Sequence, residues 1–143
     1  MSPIEKDIVK RKLAVIVRNL EALTGISRLT RQEYEEDLYR RKAAERLLQE
    51  LIEAAIDINT HLIVELGGTV PDSYYESFLE LGSLHVLGAE LARSLAPSAG
   101  LRNRLVHEYD AIDDSKVYDS VGHAMTLYTE YVRVINNYID ASA

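Results

Sequence analysis

The sequence predicts an all-α fold: a helical bundle of four to five main helices, with a short irregular segment before the most polar motif of the chain. Three observations predict it. Glycine and proline are sparse, seven and three among 143 residues. Apolar residues recur at three- and four-residue steps, the period of an amphipathic helix. Hydroxyl-x-x-Glu spacings at Thr30–Glu33 and Ser73–Glu76 suit helix N-termini, where the two side chains satisfy each other's end of the chain.

The elements follow in order. A first helix is expected from about Ile4 to Leu23, burying Ile8, Leu13, Ile16, Leu20 and Leu23 with Val9 and Val17 beside them, and stopped by Thr24-Gly25. Helical pattern resumes after Thr30 and runs to Leu66. One helix of that length would reach ~55 Å, too long for this chain, so a break is expected near Asp37–Tyr39. The second part packs through Ala43, Leu47, Leu51, Ala54, Ala55, Ile58 and Leu62. Gly67-Gly68-Thr69-Val70-Pro71 is a turn. A short helix opens at Ser73 and ends at Gly82, and another spans Leu84 to Leu95, before Pro97. Ser94 or Ser98 is the expected cap of the next, motif-bearing segment. Ala111–Asp114 is a link, and Asp114 or Ser115 starts a last helix that reaches Ile139.

Length suits a single domain over residues 1–143 with one core. At 47% hydrophobic residues the composition excludes a disordered chain. No apolar run approaches the ~18 residues of a membrane span, and charge from Glu5 onward does not fit a secretory leader. Cysteine is absent, which excludes disulfides, thiolate catalysis and cysteine zinc sites and fits a cytoplasmic setting. Net charge is −7, against general nucleic-acid binding. The charge is uneven: residues 1–46 hold eleven Lys/Arg against eight Asp/Glu, and the remainder five against fifteen.

Chemistry concentrates in Arg102-Asn103-Arg104-Leu105-Val106-His107-Glu108-Tyr109. A guanidinium can steady negative charge on phosphorus while an imidazole moves a proton, a pairing suited to a phosphodiester. Asn103 and His107 are i,i+4 and share a helix face, as do Arg104 and Glu108. Arg102 and His107 are i,i+5, about 140° apart on a straight helix. A symmetric dimer would bring both into one groove.

Arg102-x4-His107 matches the Arg-x(4–6)-His signature of HEPN domains, and its extension through Tyr109 resembles the Arg-x4-His-x-Tyr motif of the HepT toxins within that group. The similarity spans nearly the whole chain: the length, the long paired helices and the motif's position before the last helix all correspond. It implies a HEPN-type bundle and, for activity, a metal-independent endoribonuclease with Arg102 and His107 catalytic and Asn103 orienting the site. It also implies a homodimer and a MntA-like nucleotidyltransferase antitoxin that silences the enzyme by transferring AMP to Tyr109. No cofactor and no membrane are implied. The chemistry is consistent: RNA carries its own nucleophile, the 2′-OH, whose proton an imidazole can take near neutral pH. The alternative is a non-catalytic HEPN module that partners a minimal nucleotidyltransferase or binds nucleotides.

Other polar groups weigh less. Asp57/His61 and Asp119/His123 are i,i+4 pairs, read as local helix pairs, so no metal site is assigned. His85 stands alone. Arg40-Arg41-Lys42 with Arg46 reads first as a solvated face balanced by Glu36, Asp37, Glu45 and Glu50. With Arg104, those four are also candidate RNA or antitoxin contacts. Tyr118, Tyr128, Tyr131 and Tyr138 fall on the apolar side of the last helix and suit core or dimer packing, whereas Tyr34, Tyr39, Tyr74 and Tyr75 have no assigned place.

Overall fold

Three long helices frame the molecule, and three shorter ones in succession carry the chain across the middle one. The computed structural model describes residues 5–142. Among these are seven helices and no strand: α1 (Lys6–Ser27), α2 (Arg31–Glu35), α3 (Leu38–Glu65), α4 (Tyr74–Ser83), α5 (Ala89–Leu95), α6 (Ser98–His107) and α7 (Asp114–Ala141). α1 packs on α3 and α7, α4 and α6 on α3, and α5 on α4 and α7. No described helix is long and apolar enough to cross a membrane.

Local rules set most of the boundaries. The Thr30 hydroxyl accepts from the Glu33 N–H at 3.1 Å and the Glu33 carboxylate from the Thr30 N–H at 2.8 Å, the reciprocal box expected there. The break falls where length demanded it, with Asp37 Oδ1 accepting from the Arg40 N–H at 3.0 Å to open α3. α3 ends on Gly67 at φ 83°, whose N–H reaches the Val64 carbonyl while the Gly68 N–H reaches that of Ile63. That double hydrogen bond needs a left-handed residue at Gly67.

Tertiary packing overrules local signals elsewhere. α1 does not stop at Thr24-Gly25; it continues to Ser27 and buries Ile26. A mid-helix glycine costs ~1 kcal/mol and burying an isoleucine returns ~1.5–3 kcal/mol, so the helix continues. The expected start at Ile4 lies outside the described residues. In α3 the buried positions are Ala44 and Leu48, while Ala43 is exposed and Leu47 only partly covered. Gly82 lies within α4 rather than ending it: a Cβ there would meet the Ala92 Cβ at 2.9 Å, so the glycine lets α5 approach. α4 ends instead through His85 at φ 61°, with its N–H on Gly82 and the Val86 N–H on Leu81. The left-handed turn costs ~1–2 kcal/mol without glycine; two hydrogen bonds and the burial of Val86 offset it. The helix expected from Leu84 therefore begins only at Ala89. Ser98 caps nothing: it donates to the Leu95 carbonyl at 2.6 Å and accepts from the Tyr128 hydroxyl at 2.7 Å, tying the start of α6 to α7. Asp113 caps α7 by accepting from the Ser115 and Lys116 N–H groups.

The core is apolar apart from Asn19, whose amide donates to the Leu47 carbonyl and to Glu50 Oε1, and one polar chain. Tyr131 of α7 donates to Asn59 Oδ1 at 2.7 Å, with the Ala55 carbonyl at 3.2 Å; Asn59 Nδ2 donates to Ser77 Oγ at 3.2 Å; Ser77 donates to the Tyr74 carbonyl at 2.7 Å. Tyr128 and Phe78 set their rings edge-on against Tyr131. Tyr128 and Tyr131 are thus core residues, as expected, and Tyr34 joins them, fully buried beside Tyr118.

Tyr131→Phe leaves the buried Asn59 oxygen without its donor and should cost about 1–3 kcal/mol in urea unfolding, whereas Phe at exposed Tyr39 should be neutral. Asp37 is held below the ordinary carboxylate range by the Arg40 N–H and then by the Arg40 side chain. A depressed folded pKa gives stability that is present above the unfolded value and lost as pH falls through the folded one. The stability difference between wild type and Asp37→Asn should accordingly be measurable at pH 7 and close below about pH 4.

Candidate active site

α6 carries the motif and splits it between two environments. Arg102 faces the cleft between α3 and α4; its side chain is 18% exposed. Its guanidinium lies over the Tyr74 ring, 5.2 Å from the centroid, and its Nε is 3.8 Å from Glu53 Oε1. That distance gives an ion pair without a hydrogen bond, so the buried Nε has no hydrogen-bond partner. Gln49 donates to the same Glu53 oxygen at 2.9 Å and holds the carboxylate in place. Asp57, Thr60 and His61 complete the cleft.

Asn103, Arg104 and His107 are exposed on the opposite side of α6. Arg102 and His107 therefore keep the ~140° separation of one continuous helix, and one copy of the chain does not close both around a common pocket. Asn103 stands between them around the helix. It lies about 100° from Arg102 and 40° from His107 around the axis, and Arg102 Nη1 donates to its Oδ1 at 3.2 Å.

The chain leaves α6 at once after His107. The Glu108 N–H makes the last helical bond, to the Arg104 carbonyl. Tyr109, 71% exposed, stands beyond the helix end. Arg102 pairs with neither Glu108 nor Asp110, and no Arg104–Glu108 pair forms. Glu53 and Tyr74 are the site residues that sequence reading did not single out. They lie 49 and 28 positions from Arg102, and no local spacing marks either.

The remaining candidates disperse. Arg40 pairs with Asp37, Lys42 with Glu45 and Arg46 with Glu50 along α3, while Arg41 reaches Asp114 at 3.1 Å. That basic run is balanced by the chain's own carboxylates. Asp57 pairs with Lys12 and Asp119 with Arg31, so neither binds its i,i+4 histidine. His61 accepts from the Glu5 N–H instead. Among the described residues no three His, Asp or Glu side chains converge as a metal site would need.

The comparisons with known proteins agree on one kinship. The profile of the Ribonuclease HepT-like family matches residues 16–135. The chain is 41% identical over 139 residues to the tRNA nuclease HepT of Aphanizomenon flos-aquae (strain 2012/KM1/D3), covering 97% of this chain and 95% of that one. It is 27% identical over 129 residues to the mRNA nuclease HepT of Shewanella oneidensis, covering 90% and 96%. Its fold superposes with a TM-score of 0.82 on the tri-AMPylated Shewanella oneidensis HEPN toxin solved in complex with its MNT antitoxin, at 26% identity and covering 92% and 98%.

Tyr74→Ala should release the Arg102 guanidinium. The removed cation–π contact is worth ~0.5–2 kcal/mol, so exchange of the Arg102 Nε proton, followed by NMR on ¹⁵N-arginine-labelled protein, should quicken about 2–30-fold. Tyr74→Phe keeps the ring and should keep the slow exchange.

Proposed function

The chain belongs to the HepT-like ribonuclease family, and from that premise we propose that it is the toxin of a HepT/MntA-type pair: a metal-independent endoribonuclease that a nucleotidyltransferase antitoxin silences by adding AMP to Tyr109. It acts as one domain over residues 1–143, in the cytoplasm, as a homodimer. The observation that carries this reading is the Arg102–Asn103 hydrogen bond, which ties a part-buried guanidinium to an exposed residue one helical step from the face where His107 meets solvent.

The 140° separation on α6 calls for the dimer. Two α6 helices related by a twofold axis present Arg102 of one protomer beside His107 of the partner subunit, which one chain alone does not do. His107 takes the ribose 2′-OH proton; the 2′-oxygen forms a bond to phosphorus as the bond to the 5′-oxygen breaks; the departing 5′-oxygen takes up a proton. Arg102 remains protonated and steadies the charge on the non-bridging oxygens. Tyr74 and Glu53 hold that guanidinium, and Asn103 sets its direction. The products are a 2′,3′-cyclic phosphate and a 5′-hydroxyl. AMP on Tyr109 places an anion two residues from His107 and blocks RNA by bulk and by competition for the cations.

The purified protein should cleave RNA in EDTA, leave a deoxy analogue intact and yield cyclic-phosphate ends, with His107→Ala inactive. Cleavage of the deoxy strand would refute attack by the 2′-OH. Tyr109→Phe should retain cleavage and arrest growth even when the nucleotidyltransferase is co-expressed; mass spectrometry should find AMP on wild type and none on the variant. Intact RNA together with undisturbed growth would favour the non-catalytic binding module.

A further inference from the structure

α6 packs on α3 and α4 and hardly on α7. Two adjoining clefts lie between α6 and α7, with Leu101, Arg104 and Ser120 common to both. Together they make one groove, walled along α7 from Asp113 to Leu127, a distance of ~21 Å at the helical rise.

The charge in this groove opposes that of the chain. Arg104, Lys116 and His123 line it, and all three are exposed. Neither Arg104 nor Lys116 meets a carboxylate within 4.0 Å among the described residues, whereas the denser basic run of α3 is paired throughout. Two acids face the groove, Glu108 and Asp113, and the Asp113 carboxylate is already engaged by the Ser115 and Lys116 N–H groups. The apolar walls of Leu101 and Leu127 supply surfaces for sugar and base, while the Ser98 and Ser120 hydroxyl protons are already given to the Leu95 and Lys116 carbonyls. Arg104 is i,i+3 from His107, about 60° around α6, so the groove begins beside the imidazole. Of the sixteen Lys and Arg side chains, seven lie outside the ion pairs of the described residues, and Arg104 and Lys116 are the two of these that line this groove.

We infer that the α6–α7 groove is a track for the RNA strand beside the scissile position, with Arg104 and Lys116 taking successive phosphates and His123 lying at the far end. This rests on the ribonuclease reading and extends it: Arg102 and His107 act on the reacting phosphodiester, and the groove binds the flanking strand. Phosphate contacts of this kind fix position and register rather than sequence.

The test compares wild type with Arg104→Gln/Lys116→Gln on a 20-nucleotide RNA and on a dinucleoside monophosphate too short to enter the groove. The ratio of kcat/KM on the long substrate to that on the short one should fall about tenfold, carried by KM. Binding of the same 20-mer in the His107→Ala background, measured against salt, should lose ~1.4 from its logarithmic slope, ~0.7 for each phosphate contact of a single strand. Arg104→Lys/Lys116→Arg should retain most of both, and thermal unfolding should match wild type. An unchanged ratio and slope would overturn the track, and so would equal losses on both substrates, which would place Arg104 at the reacting group. Weakened silencing by the nucleotidyltransferase with RNA binding intact would overturn it too, assigning the groove to a protein partner. RNA bound with the predicted slope change but never cut would uphold the track and remove the nuclease reading; no RNA binding by wild type would remove both.

Discussion

The buried amide of Asn59 is the constraint on which the rest of the structure depends. It accepts from Tyr131 of α7 and donates to Ser77 of α4 while standing on α3, so three helices are set by one side chain. A buried amide is tolerated only when its polar atoms are matched. The same hydrogen-bond chain ends on the Tyr74 carbonyl, and the Tyr74 ring lies against Arg102. Core geometry is thereby passed to the guanidinium through two residues of α4.

α6 uses its two sides differently. The inner side holds a cation in contact with an aromatic ring and a carboxylate, where direction matters more than affinity. The outer side shows an amide, a second guanidinium and an imidazole to solvent. Strength and access are in conflict for an arginine: one that is firmly held is less able to follow a substrate. Asn103 resolves the conflict by giving the inner cation a hydrogen bond on the outer side.

Much of this was legible in the sequence wherever a helix end is decided by its own few residues. The Thr30–Glu33 box, the Asp37 break and the Gly67 turn all follow from local chemistry. Features decided by contact partners were not legible. Gly25 looks like a stop until Ile26 finds a core, and Gly82 looks like an end until Ala92 approaches it. A one-residue shift separates the expected Ala43/Leu47 from the buried Ala44/Leu48, because both sets obey the same period. Of the site, the motif residues could be named from their order alone; Glu53 and Tyr74, which orient Arg102, could not, since only folding brings them near.

Tyr109 sits past the last hydrogen bond of α6, on a protruding bend. A side chain within a helix enters another enzyme's catalytic pocket only after several backbone bonds open, and that opening sets the speed. A phenol on a projecting bend asks for no such unwinding. Under the silencing proposed above, modification there proceeds at the pace of encounter and chemistry, on molecules already assembled, with no new synthesis needed to disarm them.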